Sequence, residues 1–324
     1  MKYPVYFLLI ILVSPLYPAE KNYDSAQSHD IQSLARSLAA FYNNHSGLIV
    51  HLGSGNGRLT SALSDNGKFL VQGLEMDKRL VSESQKHIQS QGRYGYVSIE
   101  QCSFNKLPYA DNLINIIIID DIIRLAKYEL PIQEIMRVLC PNGILYIGQS
   151  SLITKMVIEQ TRIETTIKAL GINDYSLINK NGIWARIIKP RPADMDEWTH
   201  WLYNSGHTRV SKDGISGPPS SLRWLAGPVS NGLRAEMGSV CANGRIFNVT
   251  ANDAFNLFIP EKKRPSRLYL IARDAYNGTR LWRRKFNGNA KNLIASGDTL
   301  FCIIDQSVCA VDAESGETLA EYGK

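Results

Sequence analysis

The stretch Leu48-Ile49-Val50-His51-Leu52-Gly53-Ser54-Gly55-Asn56-Gly57, followed at once by Arg58-Leu59-Thr60-Ser61-Ala62-Leu63, decides how the first half of this chain folds. A short run of β-branched residues and leucine enters a loop with glycine at every second position, and a helical pattern begins directly after it. Glycine has no Cβ, so it takes positive φ readily and lets a ligand lie against the backbone. A strand, a glycine turn and a helix start together aim free N–H groups outward, which makes a cradle of the nucleotide-binding type. The spacing is G-x-G-x-G. The third glycine of the dinucleotide fingerprint falls at Arg58, whose bulk obstructs close helix–strand packing, so the loop favours a ligand without a pyrophosphate. Bare structural connections use the same pattern, and the loop alone does not choose between the two.

Upstream, Ser28 to Asn44 reads as an amphipathic helix with Ile31, Leu34, Leu38 and Phe41 on one stripe. Downstream, the first crossover helix stops at Asn66-Gly67, and Phe69 to Leu74 forms a strand closed by Glu75. A helix from Asp77 to Gln91 turns Leu80, Val81, Ser84 and Ile88 inward and stops at Gly92; Val97 to Gln101 is the next strand. Leu113 to Ile119 is the most apolar run of this half, as expected for a strand buried on both faces, and it ends in Asp120-Asp121. Glu129 to Leu139 is helical, Pro141-Asn142-Gly143 turns into a strand over Ile144 to Gly148, and a long helix runs on to Leu170-Gly171. Tyr175 to Ile178 and Ile183 to Ile188 meet through Asn181-Gly182, a hairpin signal. The alternation predicts an α/β fold, a doubly wound Rossmann-like parallel sheet with a terminal antiparallel hairpin.

Four segments in order now share a pattern: the glycine loop, Glu75, Leu107-Pro108-Tyr109-Ala110-Asp111 and Arg137-Val138-Leu139-Cys140-Pro141-Asn142-Gly143. Together with the terminal hairpin, they make residues 28–189 resemble the class I S-adenosylmethionine-dependent methyltransferases. The resemblance implies S-adenosylmethionine as cofactor, held by Gly53, Ser54, Gly55 and Gly57, with Glu75 on the ribose hydroxyls and Met76, Ser103 and Phe104 completing the site. It places a methyl acceptor beyond the strand ends near Asp120 and Asp121, which would orient or deprotonate it. The same two acids also read as a helix N-cap and a solvated neighbour. Three positions depart from the family pattern. His51 replaces an acid two residues before the first glycine, Ser103 stands where an Asp near the adenine amine is common, and Asn115 replaces the Asp of an F-D pair. Each swap removes a carboxylate able to accept a charge-assisted hydrogen bond worth about 1.5–3 kcal/mol.

At the N-terminus, Met1-Lys2 and the apolar run Val5 to Val13 resemble a secretory signal ending near Ala19, too short to span a bilayer. The expectation is an exported protein of the periplasm or cell envelope, with no transmembrane span once the signal is removed. Cys102, Cys140, Cys241, Cys302 and Cys309 show no metal-ligand spacing and read as small buried hydrophobes; no metal site is expected. Cys302 and Cys309 would lie opposite each other if Asp305-Gln306 makes a two-residue turn. The net charge of +6 is concentrated partly in Lys262, Lys263, Arg264, Arg267, Arg280, Arg283, Arg284 and Lys285. No aromatic-and-basic nucleic-acid module accompanies that strip, so it reads as a solvated face, with no nucleic-acid partner.

The composition changes at Lys189-Pro190-Arg191-Pro192, and residues 190–239 read as a linker and entry segment. Asp196 to Trp201 and on to Arg209-Val210-Ser211 resembles the entry of quinoprotein-type β-propellers, with Trp198 and Trp201 as buried anchors. Residues 272–282 and 310–319 then repeat one pattern at a 38-residue offset, pairing Asp274 with Asp312, Gly278 with Gly316 and Leu281 with Leu319. Trp282 has no aromatic counterpart, because Ala320 takes its place. The repeat resembles that of pyrroloquinoline quinone enzymes, which also occurs in propellers that bind no quinone. The expected local physics is an outer turn made by Asp and Asn/Ser-Gly, with Leu and Trp packing between blades.

Residues 240–324 hold about two such blades, too few to close a ring, so an incomplete propeller with an open edge is expected. That edge would take further blades or another chain. The pairing of the two halves resembles a group of large exported proteins best represented in planctomycetes.

Three functions follow from this. The first is a methyltransferase acting on a small-molecule or protein acceptor. The second is a non-catalytic Rossmann domain serving beside the propeller as a binding or scaffold module. The third is a quinone-dependent oxidoreductase fragment, for which no metal-binding acid cluster is found; pyrroloquinoline quinone is not expected here. Export argues for the second reading, since S-adenosylmethionine is made and kept in the cytoplasm. The glycine loop and Glu75 argue for the first.

Overall fold

The computed structural model describes residues 23–42, 46–125, 131–152, 159–215, 217, 223–224, 239–251, 268–287 and 292–323. The expected signal, the start of the helix read from Glu129, and Lys262, Lys263, Arg264 and Arg267 of the basic strip lie outside the described residues.

The first half is built on β1 (Gly47–Leu52), β2 (Phe69–Glu75), β3 (Val97–Gln101), β4 (Ile114–Ile119), β5 (Leu139–Ser150), β6 (Ser176–Asn179) and β7 (Gly182–Ile188), in the order β3-β2-β1-β4-β5-β7-β6. β1 to β5 run parallel, while β7 is antiparallel to both β5 and β6. The strand order reverses between β1 and β4, and in open α/β sheets a ligand crevice forms beyond the strand ends at that point. All six residues of β4 are buried, as its isoleucine run requires. Alternate side chains feed two cores. Ile49, Ile116 and Ile118 pack with Leu34 and Leu38 of α1 (Tyr23–Ala39), Leu59 of α2 (Arg58–Ala62), and Val81 and Ile88 of α3 (Lys78–Ser90). On the other face Val50, Ile117 and Ile119 pack with Ile135 and Val138 of α5 (Ile132–Val138) and Ile163 and Ile167 of α6 (Gln160–Ala169).

Three boundaries differ from the sequence expectation. α1 starts and ends about five residues early. The crossover after the glycine loop is a single short helix, α2, followed by a 3-10 turn over Asp65–Gly67, with Asp65 itself at positive φ. Pro141-Asn142-Gly143 is not a separate turn but part of β5, where a register shift against β4 absorbs Asn142 at φ 61°. Asn181 (φ 47°) and Gly182 form the expected hairpin turn.

The second half forms two four-stranded antiparallel sheets. One holds β8 (Ser239–Ala242), β9 (Arg245–Ala251), β10 (Leu268–Asp274) and β11 (Arg280–Phe286); the other β12 (Ile294–Ser296), β13 (Thr299–Ile304), β14 (Ser307–Asp312) and β15 (Thr318–Tyr322). Phe247, Val249, Leu270 and Phe286 of the first share one apolar core with Leu300, Cys302 and Val311 of the second. The 38-residue repeat is a repeated turn. Asp274 Oδ1 accepts from the N–H groups of Tyr276 and Asn277, and Asp312 Oδ1 from those of Glu314 and Ser315. Gly278 (φ 75°) and Gly316 (φ 77°) close the two turns in the left-handed region.

An indole covers each of these glycines so closely that a Cβ would collide with it: Trp224 over Gly278 and Trp282 over Gly316. Trp224 Nε1 donates to Ala275 O at 3.2 Å and Trp282 Nε1 to Ala313 O at 3.0 Å. Trp282 therefore packs between the sheets as expected, whereas Leu319 is exposed, because nothing covers the outer side of β15 among the described residues. The tryptophans of the entry segment are not buried anchors. Trp201 is exposed, and Trp198 is half-buried against Tyr203 while exchanging backbone hydrogen bonds with Cys241. Thr199 O in turn accepts from Ala295 N, so this segment ties the two sheets together through its backbone. Cys302 does face Cys309 across a turn made by Asp305 and Gln306, both at positive φ, and all five thiols are free. Cys140, Cys302 and Cys309 are buried; Cys102 and Cys241 are only partly so.

Candidate cofactor site

The glycine loop sits at the C-terminal end of β1, beside the reversal point. Gly53 N and Ser54 N both donate to Leu74 O, which straps the loop to β2. The three glycines do different things. A Cβ on Gly57 would lie 2.9 Å from Ser84 Cβ, so Gly57 lets α3 pack against the loop. A Cβ on Gly53 would lie 2.8 Å from Leu125 Cδ1 and 2.9 Å from an Arg124 guanidinium nitrogen. At Gly55 a Cβ would meet only Gly53 O, at 3.9 Å, so open space lies against its backbone. Gly55 is the position where a ligand has room. Ser84 Oγ donates to Gly55 O at 2.7 Å and fixes the loop's tip. Ser54 is buried, and its Oγ has no hydrogen-bond partner among the described residues.

Glu75 closes β2 directly below. Its side chain is buried and its carboxylate is saturated. Oε2 accepts from Gly55 N (2.9 Å), and Oε1 from Met76 N (2.9 Å) and Asp77 N (3.2 Å). Arg124, from α4 (Ile122–Leu125), adds a two-pronged contact of 3.2 and 3.1 Å and also donates to Gly53 O at 2.6 Å. Burial pushes the Glu75 carboxyl up, but the bonds from Arg124 and Gly55 outweigh it and hold the group below the usual carboxylate range.

The remaining expected site residues divide. Met76 is half-buried at the edge of the lower core, Ser103 is exposed, and Phe104 is buried within that core, packing there as a core side chain. Asp120 is not a solvated neighbour. It is buried, with Oδ1 3.0 Å from His51 Nε2 but without hydrogen-bond alignment, while His51 Nδ1 lies 2.8 Å from Thr60 Oγ1. The histidine thus meets the acid beneath the loop, joining the ends of β1 and β4. Asp121 is the N-cap: its Oδ1 accepts from Arg124 N at 3.0 Å and from Gln149 Nε2 at 3.2 Å.

Asn115 lies at the other end of β4, far from the loop, and its change from Asp serves a different purpose. Oδ1 accepts from Leu48 N (2.7 Å) and Asn277 Nδ2 (2.6 Å); Nδ2 donates to Tyr42 Oη (2.6 Å) and Asp274 Oδ2 (2.8 Å). Tyr42 Oη in turn donates to Asp274 Oδ2 at 3.1 Å. This buried cluster fastens the first repeat turn to the underside of the seven-stranded sheet. A carboxylate at 115 would face the carboxylate of Asp274, so the swap does not weaken the cofactor crevice.

The two other motifs of the resemblance also meet. Glu134 accepts from Leu107 N and from Arg137, and Arg137 also reaches Tyr109 O and Asp111. They form a polar lock beside β4.

Residues 45–206, half of the chain, match the family model described as a methyltransferase domain. The chain belongs to the methyltransferase domain family. A SAM-dependent methyltransferase from Aquifex aeolicus is 18% identical, with 49% of this chain and 98% of that one covered and a TM-score of 0.38. The PH0226 protein of Pyrococcus horikoshii is 17% identical over 55% of this chain and 97% of its own, with a TM-score of 0.40. An uncharacterised protein of Haemophilus influenzae is 26% identical over 122 residues, 37% of this chain. The chain spans about half the length of that relative, 47%. S-adenosylmethionine is the cofactor to which membership of the methyltransferase domain family points. The open face of Gly55 and the placement of Glu75 fit a nucleoside there. Arg124, which sequence reasoning missed, stands in its way.

Proposed function

We propose that the methyltransferase domain binds S-adenosylmethionine between the glycine loop and Glu75, and that the two β-sheets docked beneath it are blades of a quinoprotein-like propeller. One observation carries the reading: the carboxylate of Glu75 sits under a glycine loop whose middle residue has free space against its backbone. In this reading Gly55 lets the nucleoside approach, Glu75 accepts from the ribose hydroxyls once Arg124 has withdrawn from it, and Gly53 and Ser54, strapped to β2, keep the cradle rigid. When bound, S-adenosylmethionine supplies an electrophilic methyl group to a nucleophilic acceptor, here a small molecule or a protein reaching the crevice between β1 and β4. Calorimetric titration with S-adenosylhomocysteine tests the reading. Measurable binding supports it, and no heat at millimolar ligand overturns it.

A second reading, a non-catalytic binding module, is favoured by the two aspartates at the strand ends. Asp120 is buried against His51, and Asp121 is engaged by Arg124 and Gln149, so neither offers a free carboxylate as a base. Binding of S-adenosylhomocysteine without methyl transfer to any acceptor in an envelope extract separates this reading from the first. The apolar run at residues 5–13 supports export, and the proposal puts either activity outside the cytoplasm.

A further inference from the structure

We infer that Arg124 is an intramolecular competitor for the cofactor site, occupying in the free protein the hydrogen-bonding positions that a ribose takes when the ligand enters. The inference rests on the proposed function and adds a gate to it.

The contacts are specific. A ribose needs acceptors for two hydroxyls, and Glu75 is the acid placed to provide them. Both of its oxygens already receive an Arg124 guanidinium nitrogen, at 3.2 and 3.1 Å. One of those nitrogens also reaches the carbonyl of Gly53 at 2.6 Å, so the guanidinium bridges the strand end and the first glycine of the loop. It lies 2.9 Å from where a Cβ on Gly53 would stand, which places it against the backbone of the loop's first glycine. A planar fork that fills two acceptors at once is the geometry with which arginine matches a carboxylate.

The same surroundings give Arg124 somewhere else to go. Its side chain is 29% exposed, and Asp121 Oδ2 lies 3.7 Å from its Nε. A side-chain rotation that gives up Glu75 can keep a carboxylate partner in Asp121, and the backbone of α4 need not move. Glu75 is not orphaned by the exchange, because Gly55, Met76 and Asp77 still donate to it. The site thus has two arrangements: closed, with Arg124 on Glu75, and open, with Arg124 on Asp121 and Glu75 facing the ligand. A ligand that binds only the open form has its affinity reduced by the open fraction.

The test is calorimetric titration of S-adenosylhomocysteine, and of adenosine, into the full chain and into Arg124→Met and Arg124→Gln. Met keeps the bulk without the charge, and Gln keeps one donor. If the open form is a tenth of the population or less, removing the competitor tightens both ligands by about tenfold or more, with Met exceeding Gln. Raising the salt concentration, which weakens the ion pair, tightens binding to the wild type and leaves the Met variant unchanged. Equal affinity in all three proteins overturns the competitor while leaving the cofactor reading intact. Weaker binding in both variants overturns it too, and makes Arg124 a ligand contact. Absence of binding in every protein, with melting curves unchanged, overturns the cofactor reading itself.

Discussion

Asn115→Asp is the sharpest perturbation the structure offers, because it changes one atom in a buried network. The oxygen that replaces Nδ2 no longer donates to Asp274 Oδ2 or Tyr42 Oη, which lie 2.8 and 2.6 Å away. Losing the charge-assisted bond to Asp274 costs about 1.5–3 kcal/mol, while Tyr42 Oη loses one donor and keeps its own bond to Asp274 Oδ2. We expect a loss of about 1.5–3 kcal/mol at neutral pH, a drop in melting temperature of roughly 3–12 °C for a unit of this size.

The sign of the pH dependence follows from the same contact. Burial holds the Asp274 carboxyl above its usual range, with its hydrogen bonds opposing, and a second carboxylate beside it raises the pair further. A raised folded-state value means that stability is fully present below the unfolded value of about 3.9 and is lost as pH rises through the folded one. The variant's deficit should therefore shrink on acidification, because a protonated carboxyl can donate as the amide did. Thermal melts of wild type and variant at about pH 5 and about pH 8 measure this. A variant that matches wild type at the higher pH, or a deficit that grows as pH falls, would refute the account of this interface.

Three further outcomes are expected. Gly55→Val should abolish S-adenosylhomocysteine binding by filling the open face of the loop. Its Cβ meets no side chain, so stability should fall only by what a β-branched residue at φ 56° costs, about 1–3 kcal/mol. Trp282→Ala should cost about 2–3 kcal/mol, less than a fully buried tryptophan, and raise hydrogen exchange in β14 and β15 more than in β9 and β10, as mass spectrometry of exchanged peptides would show; uniform change would count against the seating of Trp282 on the Gly316 turn. Protein purified from its native host should begin near Glu20, and a cytoplasmic form retaining Met1 would remove export from the proposal.

The sheet was legible because its signals are local. The isoleucines of β4, the glycine loop and Glu75 at the end of β2 each follow from a few neighbouring residues, as does the Asp-to-Gly turn repeated at 274 and 312. What was not legible depends on partners far along the chain. Asn115 reads as a lost cofactor contact until Asp274, 159 residues away, is seen beside it. Arg124 follows two aspartates in a segment with ordinary helical character, and nothing in its neighbours announces Glu75, 49 residues earlier. The helix boundaries missed for another reason. Ser64 Oγ bonds back to Ser61 O and the chain tightens at Asp65, a competition between side chain and backbone that periodicity does not register.

The paired indoles give the second half of the molecule a polarity. Trp224 seats in the turn that closes at Gly278, and Trp282, carried by the sheet that owns that turn, seats in the next turn at Gly316. The first sheet therefore presents a socket to what comes before it and a tongue to what comes after. The dependence runs one way: damage to an upstream tongue unlatches the downstream sheet, while trimming β15 leaves the upstream joint closed. Ala320 stands where the next tongue would be, so the series of latches stops at the second sheet. Whatever meets the outer side of β15 must hold on by some other means.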